Sequence, residues 1–146
     1  MSAIPQTNER SLLAQGWTGL ALFLSLGFVL ESLLAWKTPA YLEDPIRREL
    51  LRLAHTHGAL LHVVVLLLAV TAPRLPRPVP GALVGALRAG AVLVPAGFLL
   101  GGLWHPEGDP GHGIWLVPAG ALLALAGVLG AALAARGGPD GKATRR

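Results

Sequence analysis

The chain contains no cysteine, a single methionine, a single tyrosine and three phenylalanines among 146 residues, and only 14% of it is charged. Without cysteine there can be no disulfide, no iron–sulfur cluster and no thiolate zinc site, although this leaves the compartment open. The shortage of charge excludes more. With 53% of the residues hydrophobic, too few polar side chains remain to solvate a soluble globule of this size. Hydrolase signatures are also missing: Ser2, Ser11, Ser25 and Ser32 stand in no nucleophile elbow, no glycine loop suits a phosphate, and the pattern His-x-His-Gly at positions 55–58 is not the spacing of a zinc protease. No catalytic residue is assigned on these grounds.

What the chain does have is long apolar blocks. Segments 12–36, 53–72, 80–104 and 114–135 each run for about 20 residues or slightly more, the length that crosses a hydrocarbon core of roughly 30 Å. The expected fold is an all-α integral membrane protein. Residues 1–136 would form one compact up-down bundle of four transmembrane helices, and 137–146 a disordered cytoplasmic tail rich in glycine and charge. Thr38-Pro39-Ala40 offers small residues to a signal peptidase, but the first apolar run exceeds an h-region of about 7–15 residues, so it is read as a retained span.

Orientation follows from the basic residues. With the N-terminus inside, Arg10, Arg74, Arg77, Arg88, Arg136, Lys142, Arg145 and Arg146 face the cytoplasm, against Lys37, Arg47, Arg48 and Arg52 outside. That bias predicts a bacterial plasma (inner) membrane protein with both termini cytoplasmic, in contact with the lipid bilayer and not with nucleic acid. Trp36, Trp104 and Trp115 fall at the outer boundary and Trp17 near the inner one, as an aromatic belt requires. Asp44-Pro45 reads as an N-cap and first turn, so the second helix starts near Pro45 and extends beyond the membrane at its N-terminal end. Pro95 falls inside the third span, and Gly81, Gly85, Gly97 and Gly101 provide small-residue notches for helix packing there, or a face for a homo-oligomer or larger membrane complex.

Four spans return the chain to the same face after every second crossing. The outer end therefore collects all five histidines and six of the eight acidic residues. On the second helix, Arg48, Arg52, His55 and His62 share one stripe while His57 points away from it. His55 and His62 are roughly 10 Å apart along the axis, too far to bind one ion together. Glu31 lies near the depth of His55, and a carboxylate within a span is a functional candidate by default. The loop after the third span adds His105, Glu107, Asp109 and His112 on a turn-rich backbone.

Three readings fit this set. The first is a metal centre drawn from Glu31, His55, His57, His62, His105, Glu107, Asp109 and His112, binding zinc or copper for redox or proton-transfer chemistry. The second is a haem held between helices by His62 or His55 and another imidazole. In the third the polar groups satisfy one another, with Glu31 capping the second helix, Glu49 paired to Arg52, and the histidines bonded to backbone carbonyls. A non-catalytic accessory subunit of a larger complex is the functional alternative to a metal or cofactor protein.

Overall fold

The computed structural model describes residues 6–136, with side chains from residue 9 onward. The expected tail at 137–146 lies outside the described residues. The elements in chain order are α1 (Gln6–Ala35), α2 (Pro39–Leu42), α3 (Pro45–Thr71), α4 (Gly81–Leu103) and α5 (Leu116–Arg136), with short 3-10 turns at Ala72–Arg74 and His112–Trp115. Four stretches, Glu9–Ala35, Pro45–Arg74, Gly81–Leu103 and His112–Arg136, are long and apolar enough to cross a membrane. Length and composition thus mark the chain as a multi-pass membrane protein.

Local chemistry sets the helix ends. α1 stops in a Schellman arrangement, where the Thr38 N–H reaches the Leu33 carbonyl at 3.0 Å and the Lys37 N–H reaches Leu34 at 3.1 Å. Lys37 takes the left-handed position that glycine usually fills, at φ 50°. The short helix α2, which the apolar pattern does not predict, follows and buries Tyr41 against Leu30 and Leu51. α3 begins as expected: the Asp44 carboxylate accepts the Arg47 N–H at 2.9 Å, and Pro45 occupies the first helical turn. Glu31 has no part in that cap. α3 ends where Pro73, Pro76, Pro78 and Pro80 remove the donors a helix needs.

The long helices make their main contacts with their chain neighbours. α1 packs on α3, α3 on α4 and α4 on α5, and among the described residues no extended α1–α5 contact closes the circuit. The α1–α3 seam alternates side chain and glycine in mirror order. Leu66 covers Gly16, the His62 ring covers Gly19, Phe23 covers Gly58, and the His55 ring covers Gly27. These spacings of three or four residues make one stripe on each helix. At α4–α5 the approach is backbone to backbone, with Gly90 on Gly120 and Ala124, Gly97 on Val117 and Gly113, and Gly127 on Leu83 and Leu87. Close approach of this kind gains dispersion contacts that lipid cannot displace cheaply.

Two of the four expected notches are elsewhere. Gly97 and Gly101 are buried against α5 and the turn before it, whereas Gly81 and Gly85 have no neighbour within 4 Å of a would-be Cβ and take no part in packing among the described residues. They sit on the outward side of α4, because the face toward α3 and α5 is carried there by Val84 and Leu87. Trp36, Trp104 and Trp115 are all exposed at one end of the molecule, hereafter the tryptophan-rich end.

Candidate functional site

The stripe Arg48, Arg52, His55 on α3 faces α1 and, with Glu31, lines a cleft of about 710 Å³. Its remaining walls are apolar, from Leu24, Phe28 and Leu34 of α1, with Tyr41 at the top. His55 Nδ1 lies 2.7 Å from the Phe23 carbonyl, so that nitrogen carries the proton and Nε2 is left as the free acceptor. The Arg48 guanidinium donates to the Leu42 carbonyl at 2.8 Å with one of its N–H groups. Arg52 approaches Glu49 at 3.7 Å on the exposed side, an i,i+3 pair of little energetic weight. The Glu31 carboxylate is exposed and has no hydrogen-bond or ion-pair partner among the described residues. Two guanidiniums and one carboxylate line the cleft, with Glu49 beside Arg52 on its outer side, so Arg48 is the cation with no carboxylate beside it among the described residues.

A second histidine lies two turns deeper. His62 is 3% exposed, and its Nδ1–H donates to the Gly58 carbonyl one turn back on its own helix at 2.7 Å. Its ring lies over Gly19 and 5.5 Å from the Phe23 ring, centroid to centroid. His62 forms the floor of an apolar groove of about 310 Å³ between α1 and α4. His57 faces the other way, stacked at 5.1 Å on Phe98 of α4, with Nδ1 3.0 Å from the Leu53 carbonyl.

The third polar place is the turn where the α4–α5 loop meets the start of α3. His105 Nε2 lies 3.0 Å from Asp44 Oδ2 but makes no hydrogen bond, a buried nitrogen held near the carboxylate by charge alone, and its Nδ1 lies 2.8 Å from the Pro106 carbonyl. The Arg47 guanidinium stands 3.7 Å from the same carboxylate. Asp44 is held below its ordinary 3.8, first by the Arg47 backbone N–H, with partial desolvation opposing and the charges of His105 and Arg47 adding to the lowering. Glu107 lines the shallow pocket around this pair.

The eight residues expected to form one centre are therefore spread over several places. Glu31 and His55 share the α1–α3 cleft, His62 the groove, His57 the α3–α4 seam, and His105 and Glu107 the Asp44 turn. Asp109 and His112 are exposed on the loop. Among the described residues no three histidines or carboxylates come together in a way that could hold a metal ion. The reason is visible in the loop: the Gly111 N–H bonds the Gly101 carbonyl at 2.9 Å, which folds the loop back on the end of α4 toward Asp44 instead of across the cleft. Arg48 and Arg52 complete the cleft and Asp44 the turn, placed by the sequence at this end but not among the metal ligands, and Tyr41 joins the cleft without any sequence signal. The stripe of Arg48, Arg52 and His55 was the sequence signal for the first group, and the Asp44-Pro45 cap for the second. No family model matches the chain, and neither a curated protein nor a solved structure resembles it.

Proposed function

We propose that the chain is a plasma-membrane protein with cytoplasmic termini whose α1–α3 cleft, at the non-cytoplasmic end, binds a membrane amphiphile with an anionic head. The observation that carries this reading is the division of the cleft wall. Arg48, Arg52 and His55 occupy one stripe, and Leu24, Phe28 and Leu34 the opposite side. Guanidinium forks match phosphate or carboxylate oxygens, and the apolar side suits a hydrocarbon tail lying along α1. Glu31 would meet a cationic or hydroxyl group on the same head.

The test uses detergent-purified protein titrated with dodecyl phosphate or with dodecanol. Dodecyl phosphate at about 100 times its Kd should stabilise the fold by about 2.7 kcal/mol, and the neutral alcohol should do much less. Arg48→Gln with Arg52→Gln should remove the difference. Equal stabilisation by the two amphiphiles would refute the reading. A metal remains the second reading, because the free Nε2 of His55, oriented through its Nδ1–H on a backbone carbonyl, shares the cleft with Glu31. Elemental analysis of the same preparation decides it, since stoichiometric zinc or copper lost on His55→Ala would favour the metal.

A further inference from the structure

His62 is not used by the cleft. Its Nδ1–H is taken by the Gly58 carbonyl, so in the neutral ring Nε2 is an acceptor, and no described group donates to it. An acceptor on a side chain this buried costs free energy while it stays unpaired. The surface around it is otherwise apolar, formed by Leu22, Leu26, Val92, Ala96 and Leu99, and Phe23 adds an aromatic face. A partner that suits the site must be apolar, carry an O–H donor and arrive from the side, where the groove opens between α1 and α4.

The end of the groove toward Leu12 and Arg88 adds a second requirement. Gln15 precedes Gly19 by one helical turn and Arg88 precedes Val92 by one turn, and the two side chains bridge α1 to α4 there. Arg88 Nε donates to Gln15 Oε1 at 2.6 Å, and Gln15 Nε2 donates to the Arg88 carbonyl at 3.0 Å. No carboxylate neutralises Arg88 among the described residues, and its remaining N–H donors have no described acceptor. One helical turn, about 6 Å of axial rise, separates it from the level of His62. The groove therefore presents an unpaired acceptor with an aromatic wall beside it, and Arg88 follows one turn beyond its lining on the α4 stripe of Val92 and Ala96.

We propose that the α1–α4 groove binds the head of a membrane hydroquinone, one hydroxyl donating to His62 Nε2 and the para oxygen directed toward the Gln15–Arg88 bridge at the groove's end. The ring lies beside Phe23, and the isoprenoid or alkyl tail leaves through the lateral opening. The site distinguishes the reduced from the oxidised ligand, because a quinone carbonyl has no proton to give to His62. This inference is independent of the cleft, which lies nearer the tryptophan-rich end and selects for charge.

The test titrates the full-length protein in detergent, under anaerobic conditions, with a decyl-substituted benzoquinol, the matching quinone and the dimethyl ether of the quinol. The quinol should bind at least roughly tenfold more tightly than the other two, since only it pairs the buried acceptor. A tenfold preference raises the midpoint potential of the bound two-electron couple by about 30 mV, which a redox titration reads separately. His62→Phe keeps an aromatic ring and removes the acceptor, so quinol affinity should fall to that of the quinone while quinone affinity holds. If His62→Phe does not fold, the dimethyl ether on the unaltered protein makes the same distinction. Equal binding of quinol and ether would overturn the proposal. Dodecanol binding as well as the quinol would overturn the role of the ring, and a co-purified Soret band lost on His62→Phe would assign Nε2 to iron instead.

Discussion

Gly19→Ala tests how α1 and α3 are held together. A Cβ at this position would stand 1.9 Å from His62 Cδ2 and 2.1 Å from Nε2, where non-bonded carbons settle at about 3.5–4.0 Å. One partner has to move by about 1.5–2 Å to reach that separation. The ring has little freedom to do so, since its Nδ1 is tied to the Gly58 carbonyl at 2.7 Å and its face rests against Phe23. The substitution should therefore cost about 1–3 kcal/mol, the usual range for overpacking. Gly16→Ala should cost less, because the two closest atoms a Cβ would meet, at 2.5 Å, belong to the flexible Leu66 side chain and the His62 carbonyl oxygen stands off at 3.4 Å. Reversible unfolding by SDS in mixed micelles, followed by far-ultraviolet circular dichroism, gives both values. His62→Ala removes the obstacle, so Gly19→Ala with His62→Ala should lose less than the sum of the single losses, with a coupling on the order of 1 kcal/mol or more. Strict additivity would show that the ring does not sit on Gly19 and would refute the seam.

Two other perturbations follow. The Asp44 carboxyl is held below 3.8, so the stability it contributes is present above that pH and is lost as the pH falls through the lower folded value; hydrogen exchange of the Arg47 amide should accelerate over that acid range, and Asp44→Asn should abolish the acid transition. Parallel acceleration in both proteins would show that the carboxylate is not the cap. Gly111→Ala would place a Cβ 1.7 Å from the Trp104 carbonyl oxygen, a backbone atom that cannot rotate aside, and should disrupt the loop, whereas Gly85→Ala meets nothing and should be neutral or stabilising by up to about 1 kcal/mol through helix propensity; thermal denaturation in detergent compares them, and similar melting temperatures would refute the loop geometry.

The spans, the Asp44 cap and the proline-rich turn were legible because each depends on local chemistry: a run of apolar residues, a side-chain acceptor beside proline, and missing donors. The Arg48, Arg52, His55 stripe was legible because helical periodicity alone groups it. The loop was not. Whether His105 reaches His55 or Asp44 depends on Gly111 bonding back to Gly101, a contact that no periodicity encodes. Of the four packing glycines, Gly97 and Gly101 meet neighbours and Gly81 and Gly85 do not, for a related reason. G-x-x-x-G marks where a helix can be approached closely without saying by what, so Gly81 and Gly85 matched the pattern with no neighbour to fill it. Gly16, Gly19, Gly27 and Gly58 receive rings or branched side chains from a partner helix, and that requires knowing the register of α1 on α3.

The order of helix contacts also bears on how the chain assembles. Each long helix takes its main partner from the segment made just before or just after it, and the Gln15–Arg88 bridge between α1 and α4 is added once α4 arrives. In a ring, the first helix would remain half-dressed until the last was synthesised. Here α1 can seat its glycines under His55, His62 and Leu66 as soon as α3 enters the bilayer, and α5 is the last addition to a surface that α4 already presents. Contacts between chain neighbours cost little loop-closure entropy and form quickly. Assembly can thus keep pace with synthesis, one hairpin at a time, and truncation after Thr71 should leave the α1–α3 pair able to dock by itself.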